Sequence, residues 1–160
     1  MIRKKNRFSW PRKLYDKNRI SAENKLVEQY GLKNKREIWK AEAKVKYFRN
    51  RAKVLITADP EEQNKFFAKL NSLGLSVKSI ADVLALNKED ILRRRLSTIV
   101  WKKQLANTTK QARQMIVHRK VAVNGRVVDV PSFLVPISEE ATIFVKKPSV
   151  IKNNNSEPGQ

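Results

Sequence analysis

The sequence predicts an α+β protein, with a helical N-terminal region followed by two helices and a small antiparallel sheet. Three observations carry this prediction. Apolar residues recur at spacings of three and four through much of residues 21–117, the period of a helix with one buried face. Asn124-Gly125 stands between two short β-branched runs, a strong short-range signal for a two-residue hairpin. Ala141–Val145 (ATIFV) then supplies a β-prone third strand.

Residues 1–20 mix Arg, Lys and Asn with Phe8, Trp10, Pro11 and Tyr15, without helical or strand periodicity. They read as an extended basic arm ordered by its partner. Ser21 is placed to cap a short helix carrying Ala22, Leu26, Val27 and Tyr30 on one side, and Gly31 to stop it. Asn34 and Glu37 form a capping-box-like start. The helix they open sets Ile38, Ala41, Val45, Phe48, Ala52 and Leu55 on one seam, with Lys40, Lys44, Lys46, Arg49, Arg51 and Lys53 on the other faces. Asp59-Pro60 starts a further helix with Glu61 and Glu62 at its positive dipole end. Phe66, Phe67, Leu70 and Leu73 form its core face, and Gly74 follows it. Residues 79–86 read as another short helix.

The second half, residues 87–147, is expected to form a domain of its own. Asn87 is placed to cap a helix packing through Leu92, Leu96, Ile99 and Val100 and carrying Arg93, Arg94 and Arg95. Three consecutive residues span most of a helical turn, so these arginines cannot share one direction, and at least one has room for a structural role. Thr108 and Gln111 form a second capping-box pattern. The helix they open buries Ala112, Met115 and Ile116 and presents Lys110, Arg113, Gln114 and Arg119 elsewhere. Its N-terminus, with free N–H groups, a positive dipole end and nearby Lys110, is a candidate phosphate site. Pro131 breaks the chain after the hairpin. Residues 148–160 offer no core and are expected to be disordered.

Charge narrows the function. The chain has 160 residues, with 35 Lys and Arg against 15 Asp and Glu, for a net charge of +20. Residues 1–53 carry a net +13 and residues 91–130 a net +9, on either side of a nearly neutral middle. Two separate phosphate-facing surfaces explain that segregation. The hydrophobic fraction of 41% is too high for a disordered basic tail and implies a core. There is no cysteine, which excludes disulfides, thiolate zinc sites and cysteine nucleophiles. No apolar stretch backs the N-terminal basic residues as in a signal peptide, and nowhere do about 18 apolar residues run together to cross a membrane. A soluble, cytoplasmic protein is expected.

The segment RRRLSTIVWKKQLANTTKQARQMIVHRKVAVNGRVVDVPSFLV resembles the RNA-binding domain named after ribosomal protein S-four of the small subunit. The specific parts are Arg94-Arg95-Leu96, Gln111-Ala112-Arg113-Gln114, Val123-Asn124-Gly125 and Pro131–Val135, in that order and spacing. That domain also occurs in pseudouridine synthases and some tRNA synthetases. YGLKNKREIWKAEAKVKYFRNRA, residues 30–52, is similar to the N-terminal helical region of the archaeal and eukaryotic ribosomal form, and the resemblance spans residues 10–147. It implies direct, early binding to the 5′ domain of small-subunit ribosomal RNA, at a junction of several helices. It further implies nucleation of the subunit body, a position beside ribosomal protein S-five near where mRNA enters, and a contribution to translational accuracy. Thr109, Arg113, Gln114 and the Asn124-Gly125 turn carry over as RNA-facing positions. Some relatives hold zinc through N-terminal cysteines, which are lacking here, so no metal is expected. The long basic C-terminal extension of eukaryotic forms is also missing, which favours an archaeal type.

The remaining RNA-binding candidates are chosen by charge: Arg93, Arg94, Arg95, Lys102, Lys103, Lys110, Arg119, Lys120 and Arg126 in the second basic block, and Arg12, Lys13, Lys40, Lys44, Arg49 and Arg51 in the first. His118, the only histidine, lies at a helix end and reads as structural or phosphate-contacting. Catalysis has little to draw on: there is no Gly-rich phosphate loop, and Asp129 is the only acid in residues 91–130. No cofactor, small-molecule substrate or membrane partner is expected. A free-standing RNA-binding stress or recycling factor is the alternative, disfavoured by the helical N-terminal half. Membrane-surface binding is weaker still, since no helix joins a strongly apolar face to an aromatic belt. DNA binding is electrostatically open, but nothing resembles a major-groove reading helix.

Overall fold

The apolar seam of the longest helix is the spine of the molecule. In a computed structural model, which describes residues 6 and 8–146, α2 runs Arg36–Leu55 and buries all six seam residues, Ile38 to Leu55. Asn34 and Glu37 frame its start in shifted form: Arg36 N donates to Asn34 Oδ1 (2.9 Å) and Lys33 N to Glu37 Oε1 (3.3 Å). The helix before it, α1 (Lys17–Tyr30), begins four residues earlier than Ser21, because Asp16 accepts from the N–H groups of Asn18 and Arg19. The arm therefore ends at Asp16. Ala22 is exposed, while Glu23, Leu26 and Tyr30 are the buried residues of α1.

The arm also differs from the expected partner-ordered tail. Arg19 donates to the carbonyls of Lys13 and Leu14 at 3.1 and 2.9 Å. Phe8 and Trp10 pack on Trp39 with ring centroids 5.9 and 5.2 Å away. Buried Glu23 accepts from Trp39 Nε1 (3.0 Å) and from Arg19 (2.8 Å), tying the anchor to α1. The chain thus holds its own arm from Phe8 onward.

Helices α3 (Pro60–Ser72), α4 (Ile80–Ala85) and α5 (Lys88–Arg93) complete the helical layer. Pro60 occupies the first turn of α3, where its missing N–H costs nothing. Only Leu70 of its expected core face is fully buried, and Phe66, Phe67 and Leu73 pack at the margin. Ser79 and Asp82 close a capping box on α4. Ile91 and Leu92 of α5 join the same core as Leu26, Phe48 and Val83, so α5 packs with the N-terminal region although it lies beyond residue 86.

Apolar spacing predicts a single helix across Leu92–Val100; the structure breaks it. Arg95 leaves helical geometry (φ −71°, ψ 145°), and α6 begins afresh at Leu96–Lys102. The reason lies some forty residues away. Leu96 N donates to Phe133 O (2.8 Å) and Val135 N to Arg94 O (3.2 Å), so the chain extends locally to pair with the segment after Pro131. The spacing is the same on both sides of the break, which conceals it from periodicity.

Beyond the break lies a second core of Leu96, Ile99, Val100, Ala112, Ile116, Val121, Val123, Val135 and Ile143. It is enclosed by α6, α7 (Thr109–Val117), a short α8 (Ile137–Glu140) that periodicity does not announce, and a sheet of order β2-β1-β3. The antiparallel strands are β1 (Val121–Val123), β2 (Arg126–Val127) and β3 (Phe144–Val145), with Ala122 between Val127 and Phe144. Asn124 and Gly125 take positive φ (50° and 76°), as a type I′ turn requires. The expected tail at 148–160 lies outside the described residues.

Two glycines test this packing. A Cβ on Gly31 (φ 58°) would meet Thr109 C and Oγ1 at 2.8 Å, whereas one on Gly125 (φ 76°) would meet nothing within 4 Å. Gly125→Ala should lose only the left-handed backbone cost, about 1–2 kcal/mol, and Gly31→Ala clearly more. Chemical denaturation of both variants measures this, and equal losses would contradict the close approach of Gly31 to α7.

Candidate nucleic-acid interface

The C-terminal domain carries its basic residues in two populations, and one carboxylate separates them. Glu37, in the first turn of α2, accepts two hydrogen bonds from Arg113 on α7, at 3.1 and 2.9 Å, and pairs through Oε2 with Arg95 at the α5–α6 break. Arg95 is buried, with 4% of its side chain exposed. Arg113 is 22% exposed and Glu37 17%. Burial pushes the Glu37 carboxyl up, but hydrogen bonds from Arg113 and Arg95, with their positive charges, outweigh it and leave the group below its ordinary value of 4.5. The pairing joins the N-terminal helices to the second core.

Several sequence-derived assignments change here. Arg95 and Arg113 are candidate RNA contacts by sequence, yet both spend their guanidinium groups on Glu37. Arg94 lies across Gly74, and its Nη atoms donate to Glu140 (3.0 Å) and to Val135 O (2.9 Å). Thr109 is buried, and the first turn of α7 is covered on one side by Gly31, whose Cβ position lies 2.9 Å from Lys110 N. The candidate phosphate site at that helix end is therefore partly filled by the α1–α2 connection. Lys103 is also turned inward, donating to the Glu140 carbonyl. Within the chain these groups are occupied by protein partners.

The other residues stay outside. Arg93 pairs with Glu89 (3.7 Å), with 60% of its side chain exposed. Lys102, Lys110, Gln114, His118, Arg119, Lys120, Asn124, Gly125 and Arg126 are all exposed. Most of them follow α7 into β1 and around the hairpin turn, forming a basic crest. Thr108 Oγ1 caps α7 by accepting from Gln111 N (3.1 Å), and Gln111 reaches back to Asn107 N (2.8 Å). At the other end Arg119 sits in the left-handed region (φ 58°), a conformation that costs a non-glycine residue about 1–2 kcal/mol. Its guanidinium is 75% exposed and pairs with Asp129 at 3.5 Å. That conformation ends α7: Lys120 N donates to Met115 O (3.0 Å) and Arg119 N to Ile116 O (2.9 Å), the paired bonds of a left-handed helix stop.

In the N-terminal half, Arg12, Lys13, Lys40, Lys44 and Arg51 lie on the surface. Partial burial, followed by the charge of Lys69, holds the Lys44 ammonium below the usual lysine range. Arg49 is half-buried and donates to Leu86 O at 2.6 Å. Lys46, Lys53 and Lys88 gather around it and are not among the RNA-binding candidates drawn from the sequence; the spacing of 46, 49 and 53 along one helix face is the available signal. Among the described residues no group of three or more His, Cys, Asp or Glu side chains is placed to hold a metal ion. No helix there is long and apolar enough to cross a membrane.

Two α-helices before a three-stranded hairpin sheet, with a basic crest along the second helix and the turn, define the class of the C-terminal unit. Residues 94–140 match the family model of the S4 domain. The whole chain extends the likeness. It is 44% identical over 161 residues to the small ribosomal subunit protein uS4 of Picrophilus torridus, spanning 94% of this chain and 87% of that one. The uS4 proteins of Methanococcus aeolicus (48% identical; 78% and 75% of the two chains) and Saccharolobus islandicus (44%; 88% and 82%) are similar. The chain belongs to the uS4 family, of the archaeal type.

The Glu37 pairing has a pH signature. A carboxylate with a depressed folded pKa stabilises fully above its unfolded value and loses that contribution as pH falls through the folded one. Unfolding free energy should therefore drop more steeply from about pH 5 to 3 in the native protein than in Glu37→Gln. Arg113→Ala should lower stability by about 1.5–3 kcal/mol, the range for a hydrogen bond to a charged group. Parallel pH profiles for native and Glu37→Gln proteins would remove Glu37 from this role.

Proposed function

We propose that this chain is a structural, non-catalytic constituent of the small ribosomal subunit, acting in the cytoplasm by binding small-subunit ribosomal RNA directly. The observation that carries this is the exposed crest of Lys110, Gln114, Arg119, Lys120 and Arg126 beside the Asn124-Gly125 turn. RNA helices hide their base edges in a deep, narrow major groove and are read through phosphates and 2′-hydroxyls across a shallow minor groove. Exposed cations running from the first turn of α7, past its end, to a hairpin turn with no bulky side chain suit that surface. The S4-domain match and the uS4 relatives support the same reading.

The finer role rests on the family resemblance. The chain binds the 5′ domain early, at a junction of helices, and helps nucleate the body of the subunit. It lies beside ribosomal protein S-five near where mRNA enters, and from there contributes to translational accuracy. Arg93, Lys102, Lys110, Gln114, His118, Arg119, Lys120, Asn124, Gly125 and Arg126 are the contacts of the C-terminal domain, and Arg12, Lys13, Lys40, Lys44 and Arg51 are contacts of the N-terminal half. Arg94, Arg95 and Arg113 serve instead to hold those surfaces in place.

The test compares folded small-subunit ribosomal RNA with an unrelated RNA duplex at matched salt. Replacing Lys110, Arg119 and Arg126 together by Gln should weaken binding to the ribosomal RNA more than to the duplex. It should also flatten the log–log dependence of affinity on salt, by a slope of about one for each phosphate no longer neutralised. Equal losses on both RNAs would reduce the crest to a non-specific polyanion surface. Failure of the native protein to bind the ribosomal RNA would overturn the reading itself.

A further inference from the structure

The sheet of the C-terminal domain has one face on the second core and one turned outward. Val121 and Val123 of β1 are buried in that core, so the pleat sends Lys120, Ala122 and Asn124 to the other side. Strand register carries this outer face across the sheet. Ala122 pairs with Val127 on one side and with Phe144 on the other, and directly opposed residues share a face. In the same register Lys146 N donates to Lys120 O at 2.8 Å, and Asn124 N donates to Thr142 Oγ1 at 3.2 Å. The outer face is thus an apolar row of Val127, Ala122 and Phe144, with Lys120 and Lys146 along one side and Asn124 and Thr142 along the other.

A single exposed apolar residue is ordinary, and the surroundings of Phe144 set it apart. Phe144 is 46% exposed and Val127 41%, while Ala122 between them is fully buried. One ring and one valine are far too little for a stable protein interface, which needs roughly 800 Å² from each partner. The rim of the patch is cationic. Lys120 and Lys146 are both exposed and stand directly opposite each other, an arrangement of like charges that weakens a sheet. Asp129, which faces Lys120 from the β2 side, pairs with Arg119 at 3.5 Å instead. The lysine row lies two residues from the ring along the strands, about 7 Å, the scale of one nucleotide. A flat apolar ring beside two cations matches an unpaired base and its phosphate: the base stacks on the ring, and the phosphate relieves the lysine repulsion.

We infer that the outer face of the sheet is a stacking platform for one unpaired RNA base, with Phe144 as its seat. The inference rests on the ribosomal RNA reading above and deepens it, from backbone contact to a particular kind of nucleotide. Lys120 links the two surfaces, because it belongs to the crest as well as to the rim of the platform. Cations of the crest meet the phosphates of helical RNA whatever its sequence. Phe144 takes a base that no duplex can present, since duplex bases are stacked on one another. Once the crest is bound the second contact is intramolecular, which multiplies affinity where an unpaired nucleotide adjoins a helix. A continuous duplex gains nothing from the platform.

The experiment uses the full chain with Phe144→Leu, which stays apolar but has no π face, and Phe144→Trp, which restores one. Trp101→Leu, at an exposed aromatic on α6, is the control. Thermal melting checks the fold of each, and Phe144→Thr, a strand former, takes the place of the leucine variant if that one melts early. Folded small-subunit ribosomal RNA is the probe. Phe144→Leu should bind about tenfold more weakly than the native chain, the order of one stacked base. Its log–log salt slope should stay almost unchanged, since stacking itself neutralises no phosphate. Phe144→Trp and Trp101→Leu should bind like the native chain. In 2′-hydroxyl acylation of the RNA, an unpaired nucleotide that is protected in the native complex should regain reactivity with Phe144→Leu. Equal losses in Phe144→Leu and Phe144→Trp overturn the inference, since the shape of β3 rather than stacking would then matter. An equal loss in Trp101→Leu overturns it too. If the native chain binds and Phe144→Leu binds as well, this inference falls alone and the face is left to an apolar protein segment. If the native chain fails to bind the ribosomal RNA, the functional reading falls and this inference falls with it.

Discussion

Two hydrophobic cores meet at Glu37, and the rest of the structure depends on how that carboxylate is held. One core is built from α1 to α5 and the other from α6 onward. Between them, Arg95 and Arg113 converge on a single side chain from two elements of the second core. Removing charges from water is expensive, and the pairing repays that cost only because the geometry is bidentate on one side and enclosed on the other. Breaking it would strand Arg95, which has 4% of its side chain exposed and makes no other ion pair among the described residues. The second seam contact, Arg94 between Gly74 and Glu140, repeats the pattern with less burial.

The clamp also explains why so basic a chain keeps distinct surfaces. Arginine suits the seam because its planar fork satisfies two carboxylate oxygens while its charge persists at any working pH. Lysine, more strongly hydrated and more flexible, is left to the exterior at positions 40, 44, 46, 102, 110 and 120. The arginines that remain outside, among them Arg93, Arg119 and Arg126, lie away from the seam. Packing and binding therefore draw on different members of the same basic blocks. Charge alone could not tell them apart.

Much of the fold is legible in the sequence because local rules and tertiary packing agree. The α2 seam, Pro60 in the first turn of α3, the Thr108 cap and the Asn124-Gly125 turn are all where spacing and turn chemistry place them. Two of the failures share one cause, partners remote in sequence. The break at Arg95 is made by Phe133 and Leu134, and the identity of Arg113 as a clamp is made by Glu37, 76 residues away. Sequence spacing marks Glu37 as a capping residue; in the structure it accepts from Lys33 N just before the helix, and the arginines take up the rest of its carboxylate. The early start of α1 is different. Asp16 outcompetes Ser21 as a cap because Arg19 and Glu23 tie the first turn to the arm, a network that apolar periodicity does not register.

Glu37 couples the two cores into one cooperative unit, and calorimetry of Glu37→Gln measures that coupling. The substitution keeps shape and removes the charge that both arginines require. The native chain should unfold in a single transition whose calorimetric and van't Hoff enthalpies agree. In the variant the second core should melt apart from the first, giving two transitions or a calorimetric enthalpy well above the van't Hoff value. A single, equally cooperative transition at an unchanged temperature would show that the cores are coupled without Glu37.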